Sequence, residues 1–169
     1  MRKFLFLAFA FVFVGSYAQE LKVNSESAKI SFNFVKESTK GTLSGLNAKI
    51  SFDPAKLSIA SISGSVDVNT ISTGNKQRDK HLMSDEYFDA AKFAKISFSS
   101  TSISKEGDTY KMRGTLKIKG VEKEVAFTFT YADKTFTGKA TVYSSDFGIA
   151  MKKKRELNQV DISISIPVL

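Results

Sequence analysis

Apolar and polar residues alternate one by one along most of this chain. Between Ala28 and Lys36, Ile30, Phe32 and Phe34 share one side, while Lys29, Ser31 and Asn33 take the other. A period of two with one apolar face predicts a half-buried strand. Gly41 and Gly45 punctuate the next piece, after which Leu46, Ala48, Ile50 and Phe52 share a face. Asp53-Pro54 ends it in a turn, because proline presets the turn dihedral and removes a ladder donor. Ala60, Ile62, Gly64, Val66 and Val68 then alternate with serines, Asp67 and Asn69, and Ile96 and Phe98 resume the pattern further on. Tyr110 to Ile118 and Val125 to Tyr131 read as a hairpin about Gly120, with cationic and acidic or hydroxyl outer faces suited to cross-strand pairing. Phe136 to Val142 and Val160 to Val168 complete the set.

Roughly eight strands at this spacing predict a mainly β, antiparallel sandwich or barrel. Periodicity does not separate the two, but closure removes unpaired edges from long strands, which favours the barrel. Eight strands enclose a space that side chains just fill, or that holds one small ligand. Gly64, Gly114 and Gly138 fall on the apolar faces. Glycine there marks either a bend in the wall, the favoured reading, or room for something that approaches closely.

One stretch does not alternate. From about residue 74 to 89 the chain is dense in charge, contains its single histidine and spaces apolar residues at helical intervals. Thr73 or Asn75 can cap a helix start. Arg78 and Leu82 lie four apart on one face, with His81 beside them. Leu82 and Phe88 are expected to dock on the barrel, and Asp79 to order Arg78 or His81. Asn75, Arg78, Asp79 and His81 would then form a polar rim around an entrance.

Length and charge add a leader to this picture. Arg2 and Lys3 precede an unbroken apolar run, Phe4 to Val14, and Ser16-Tyr17-Ala18 supplies small residues near a cleavage point. Residues 1–18 thus read as a secretory signal peptide cut after Ala18, which places the protein in the periplasm or outside the cell. The remaining 151 residues, 19–169, suit one domain, and without Arg2 and Lys3 the charge is 23 basic against 17 acidic. A domain of this size buries enough surface to need no staples, which suits a chain without cysteine.

Catalysis lacks its parts. There is no cysteine nucleophile, no Gly-x-Ser-x-Gly elbow for a serine and only His81 as a base. One histidine and scattered carboxylates give no metal-ligand spacing. An enzyme is not expected. Lys152, Lys153, Lys154 and Arg155 form a basic loop between the last two strands. Such a run is usually a solvated loop, with an anionic membrane surface as its best alternative partner. Nucleic acid is not expected, since no aromatic platform interleaves with the run.

Thr73-Gly74-Asn75, Arg78-Asp79-Lys80-His81-Leu82 and Phe88-Asp89 together resemble the signature of the YceI-like family. Gly41-x-Leu43-x-x-Leu46, Ile50-x-Phe52-Asp53, Ile96-x-Phe98, Gly114-x-Leu116-x-Ile118-x-Gly120-Val121 and Asp146-Phe147-Gly148 extend the likeness in order along the chain. The resemblance implies a lipocalin-like barrel, exported in bacteria, that holds a polyisoprenoid or similar long apolar molecule. It implies an apolar pocket drawn from Phe32, Phe34, Leu43, Phe52, Val66, Val68, Leu82, Phe88, Phe98, Leu116, Ile118, Phe127, Phe129 and Phe147. Two departures accompany it: Leu43 and Leu46 stand where phenylalanine is common in the family, and Ser144 where an arginine is frequent. No cofactor is expected beyond a bound isoprenoid-like lipid. The alternative is a ligand-free periplasmic stress or interaction protein that acts through its surface. Pairing of two chains as a homodimer is left open by the residues.

Overall fold

The computed structural model describes residues 20–169, so the leader and its cleavage point lie outside the described residues. In chain order the strands are β1 (Glu20–Leu21), β2 (Lys29–Phe34), β3 (Thr39–Ser51) and β4 (Ser61–Ser72), then helix α1 (Lys76–Leu82). After it come β5 (Lys95–Glu106), β6 (Thr109–Ile118), β7 (Val121–Ala132), β8 (Thr135–Tyr143) and β9 (Gln159–Pro167). Every pairing is antiparallel. The order β3-β2-β9-β8-β7-β6-β5-β4 closes on itself through β3–β4, giving an eight-stranded barrel. The two residues of β1 pair with the end of β3.

The antiparallel barrel with one short helix is the architecture that the alternation predicts. Two strands differ in extent, for one reason. β5 runs to Glu106 because a register shift between Ser100 and Ser102 resets the alternation and turns Ile103 inward. β3 takes in the Gly41 to Gly45 piece because shifts between Thr42 and Asn47, with Gly45 at φ +70°, let the strand continue past its irregularity. An extra residue in one strand hides continuity from any period-two count.

Alternation and strand direction place two ends. The 107–108 and 133–134 turns, Phe52 and the chain's C-terminal residues lie at one end; Asp133 and Lys134 both hold positive φ, as a tight hairpin turn requires. The helical segment, the 119–120 turn, the 35–38 turn and the 144–158 connection lie at the other.

The first end is a plug of rings. Phe52 stands edge-on to Tyr110, Phe129, Tyr131 and Phe136, with centroids 5.2, 5.8, 5.5 and 5.3 Å away. Tyr110 stacks on Phe129 at 5.1 Å and Tyr131 on Phe136 at 4.4 Å. Phe52, Phe129 and Phe136 are 3%, 3% and 2% exposed. Aromatic pairs in these geometries contribute about 0.5–1.5 kcal/mol each beyond the area they bury.

Candidate functional site

Above that plug the interior is open. A cavity of about 500 Å³ lies between the aromatic floor and the helical segment. Its walls are aliphatic, with Ile30, Leu43, Leu46, Ile50 and Ile62 on one side and Ile96, Leu116, Ile118, Val160, Ile162 and Ile164 among the rest. Many of these side chains point inward yet stay only partly buried, including Ile30, Leu43, Ile62, Ile96, Ile162 and Ile164. A packed core would cover them.

Two phenylalanine rings are folded back against the wall. Phe32 faces Gly41 across the β2–β3 ladder, and its ring occupies the place where a side chain at Gly41 would stand. The Phe98 ring likewise covers Gly114, where a Cβ would come within 2.5 Å of it. The space left by Gly114 is therefore filled by a ring, and Gly138 lies against Ile164 and Phe129 at 3.1 Å. Of the three strand glycines singled out in the sequence, Gly64 alone borders the cavity.

Polar side chains gather at the lid end. Asn75 caps α1, its side-chain oxygen accepting from the Gln77 and Arg78 amides at 3.0 and 3.1 Å. Arg78 donates from Nε to the Thr73 hydroxyl at 2.8 Å and from a terminal nitrogen to the Thr73 carbonyl at 2.9 Å. Asp79 accepts from the Thr73 amide and hydroxyl at 2.8 and 2.5 Å. Thr73 thus holds both charged residues, and Asp79 contacts neither Arg78 nor His81 directly, contrary to the sequence expectation. His81 meets Glu86 at 2.9 Å and stands edge-on to Tyr87. Arg78 and His81 border the cavity; Asn75 and Asp79 do not, because both are spent on holding the helix start. Leu82, Tyr87 and Phe88 form the apolar underside of the lid.

The 144–158 connection is the second part of the lid, and a buried amide organises it. Asn158 is fully buried; its side-chain oxygen accepts from the Met151 and Lys152 amides at 2.9 Å, and its nitrogen donates to the Lys152 and Lys154 carbonyls at 2.8 Å. Arg155 grips Asp146 through two hydrogen bonds, 2.8 and 2.6 Å, and lies 3.8 Å over the Tyr143 ring. That guanidinium hydrogen bond holds the Asp146 carboxyl below the usual carboxylate range. Lys152 reaches across to Glu37 in the β2–β3 turn, and this contact lowers the Glu37 carboxyl in the same way. Both Glu37 and Lys152 border the cavity. The basic run is therefore divided. Lys152 and Arg155 hold the loop, while Lys153 and Lys154 are exposed and make no ion pair among the described residues. The Ser144 hydroxyl also borders the cavity, buried and without a hydrogen-bond partner.

The YceI-like domain model matches residues 21–168. The chain belongs to that family. It is 29% identical to Protein YceI of Salmonella agona (strain SL483) over 157 residues, covering 88% of this chain and 82% of the relative. Among solved structures, Burkholderia cenocepacia BcnA superposes with a TM-score of 0.76 at 24% identity, over 86% of this chain and 98% of BcnA. A domain from Saccharophagus degradans, described as polyisoprenoid binding, superposes with a TM-score of 0.63 at 12% identity, over 89% of this chain and 97% of that domain. At these identities the structures share the fold.

Within this YceI-like barrel, Phe32, Phe34, Leu43, Val66, Leu82, Phe88, Phe98, Leu116, Ile118, Phe127 and Phe147 border the cavity. Phe52, Phe129 and Val68 do not. The first two belong to the plug, where each ring is covered by other rings. Val68 follows the register shift in β4: its amide donates to the Ala94 carbonyl, and Ile71 takes the cavity position instead. Sequence reasoning missed Glu37, Asn158, Ile71 and the lining role of Lys152. Nothing in the alternation marks them, because three stand in turns or connections and one follows a bulge.

Proposed function

We propose that this protein is a non-enzymatic binding protein that holds a polyisoprenoid or similar long apolar molecule in the barrel, for storage or transport after export. One observation supports this reading most. Inward-pointing aliphatic side chains stay accessible around a cavity of about 500 Å³, within the range of about 300–1,000 Å³ usual for ligand sites. Leaving that surface wet is unfavourable, and each CH₂ moved into it gains about 0.8 kcal/mol. The polar groups lie at one end only, so the ligand's head would rest near Arg78, His81 and Ser144 and its tail would point to the floor. The Saccharophagus neighbour described as polyisoprenoid binding favours the same ligand class.

Purification without detergent, solvent extraction and mass spectrometry test the reading. A reproducible apolar molecule at near one per chain is expected; its repeated absence, with failure to reload, would count against it. Export is tested by N-terminal sequencing of the secreted or periplasmic form, which should begin at Gln19. With Lys152 and Arg155 committed to carboxylates, contact with an anionic membrane would fall to Lys153 and Lys154, at about 1 kcal/mol each.

A further inference from the structure

We infer that the occupant is a short chain of about 15–20 carbons, with its length limited by the aromatic floor; this rests on the lipid-binding reading above. A CH₂ group fills roughly the volume of a water molecule in the liquid, about 30 Å³. A cavity of about 500 Å³ therefore takes on the order of 17 carbons, or three to four isoprene units.

The walls have little left to give. The Phe32 and Phe98 rings already lie against Gly41 and Gly114, in contact closer than any side chain at those positions could tolerate. They cannot retreat further without moving the strands, whose ladders close the barrel. Downward, Phe52 sits among four other rings at 5.2–5.8 Å and closes the bore. A longer chain has one way out, past the lid, where Arg78 and the Glu37–Lys152 pair border the opening. Extra isoprene units would then stand in water and add no affinity.

The test is a length series. Delipidated protein is titrated with geraniol, farnesol, geranylgeraniol and octaprenol delivered from cyclodextrin, with binding read by native mass spectrometry and by the rise in Tm. Farnesol and geranylgeraniol should bind best, with octaprenol at least about tenfold weaker. Octaprenol binding as tightly as geranylgeraniol overturns the length limit and leaves the lipid-binding reading intact. No binding at any length overturns both. Two variants sharpen the result. Ala48→Leu adds bulk to the empty bore and should move the optimum toward geraniol. Phe52→Leu lowers the floor and should move it toward longer chains, with circular dichroism to confirm folding. An optimum that stays put in folded Ala48→Leu protein overturns the inference, even where Phe52→Leu fails to fold.

Discussion

The two ends of the barrel are built from the same alternating strands, yet they do opposite things with their inward side chains. At the floor, Phe52, Tyr110, Phe129, Tyr131 and Phe136 meet one another, and three of these rings are almost wholly buried. Toward the lid, Ile30, Ile62, Ile96 and Ile162 point inward and meet space. The difference lies in reach. A ring on one wall spans far enough to touch the opposite wall, whereas an aliphatic side chain leaves the centre empty. The two rings that could have filled the middle, Phe32 and Phe98, are laid back over glycines. Stability is concentrated at one end and binding capacity at the other.

Breaking the floor should have the largest effect. Phe52→Ala removes the ring that every other plug ring contacts or neighbours, and should cost about 3–5 kcal/mol of stability in denaturant unfolding. A loss below about 1 kcal/mol would mean that the plug is not the stabilising half. Asn158→Ala should come next, at about 2–3 kcal/mol, because the buried Met151 and Lys152 amides lose their acceptor. Phe98→Ala, in the open half, should cost only about 1–2 kcal/mol, since its ring is already partly accessible. It should nevertheless release bound apolar ligand, measured as ligand per chain after extraction. An equal stability loss at Phe52 and Phe98 would erase the distinction between the halves.

The smallest effects should appear at the lid's ion pairs. Glu37 and Asp146 have carboxyls lowered by Lys152 and Arg155. Groups lowered on folding add stability above their unfolded values and lose it as pH falls through the folded ones. Ligand release should therefore be flat from about pH 8 to pH 5 and quicken below about pH 4, where carboxylates protonate. Glu37→Gln should remove part of that acid response with little change in Tm. Faster release already at pH 6 would point to a different group, His81 being the one histidine.

Much of this was legible in the chain. Alternation alone carries the strands, their inward faces and eleven of the fourteen residues expected in the pocket. It could not tell the plug from the wall, because Phe52 and Phe127 obey the same period and differ only in what stands opposite. Val68 was misplaced for a similar reason: a register shift converts a regular inward position into a packed one. Asp79 was expected to face Arg78 or His81 from helical spacing, but the Thr73 hydroxyl and amide lay closer to its carboxylate.

By itself, then, the order of residues determined which side chains face inward, where the helix interrupts the barrel and which cap starts it. Those are local matters, set by periods of two and by short-range hydrogen bonds. The tertiary structure alone decided that the interior is part plug and part cavity, and that half of the basic run is tied to Glu37 and Asp146. Both depend on distances across a closed barrel, between residues far apart in the chain, and no local pattern encodes the gap between two facing walls.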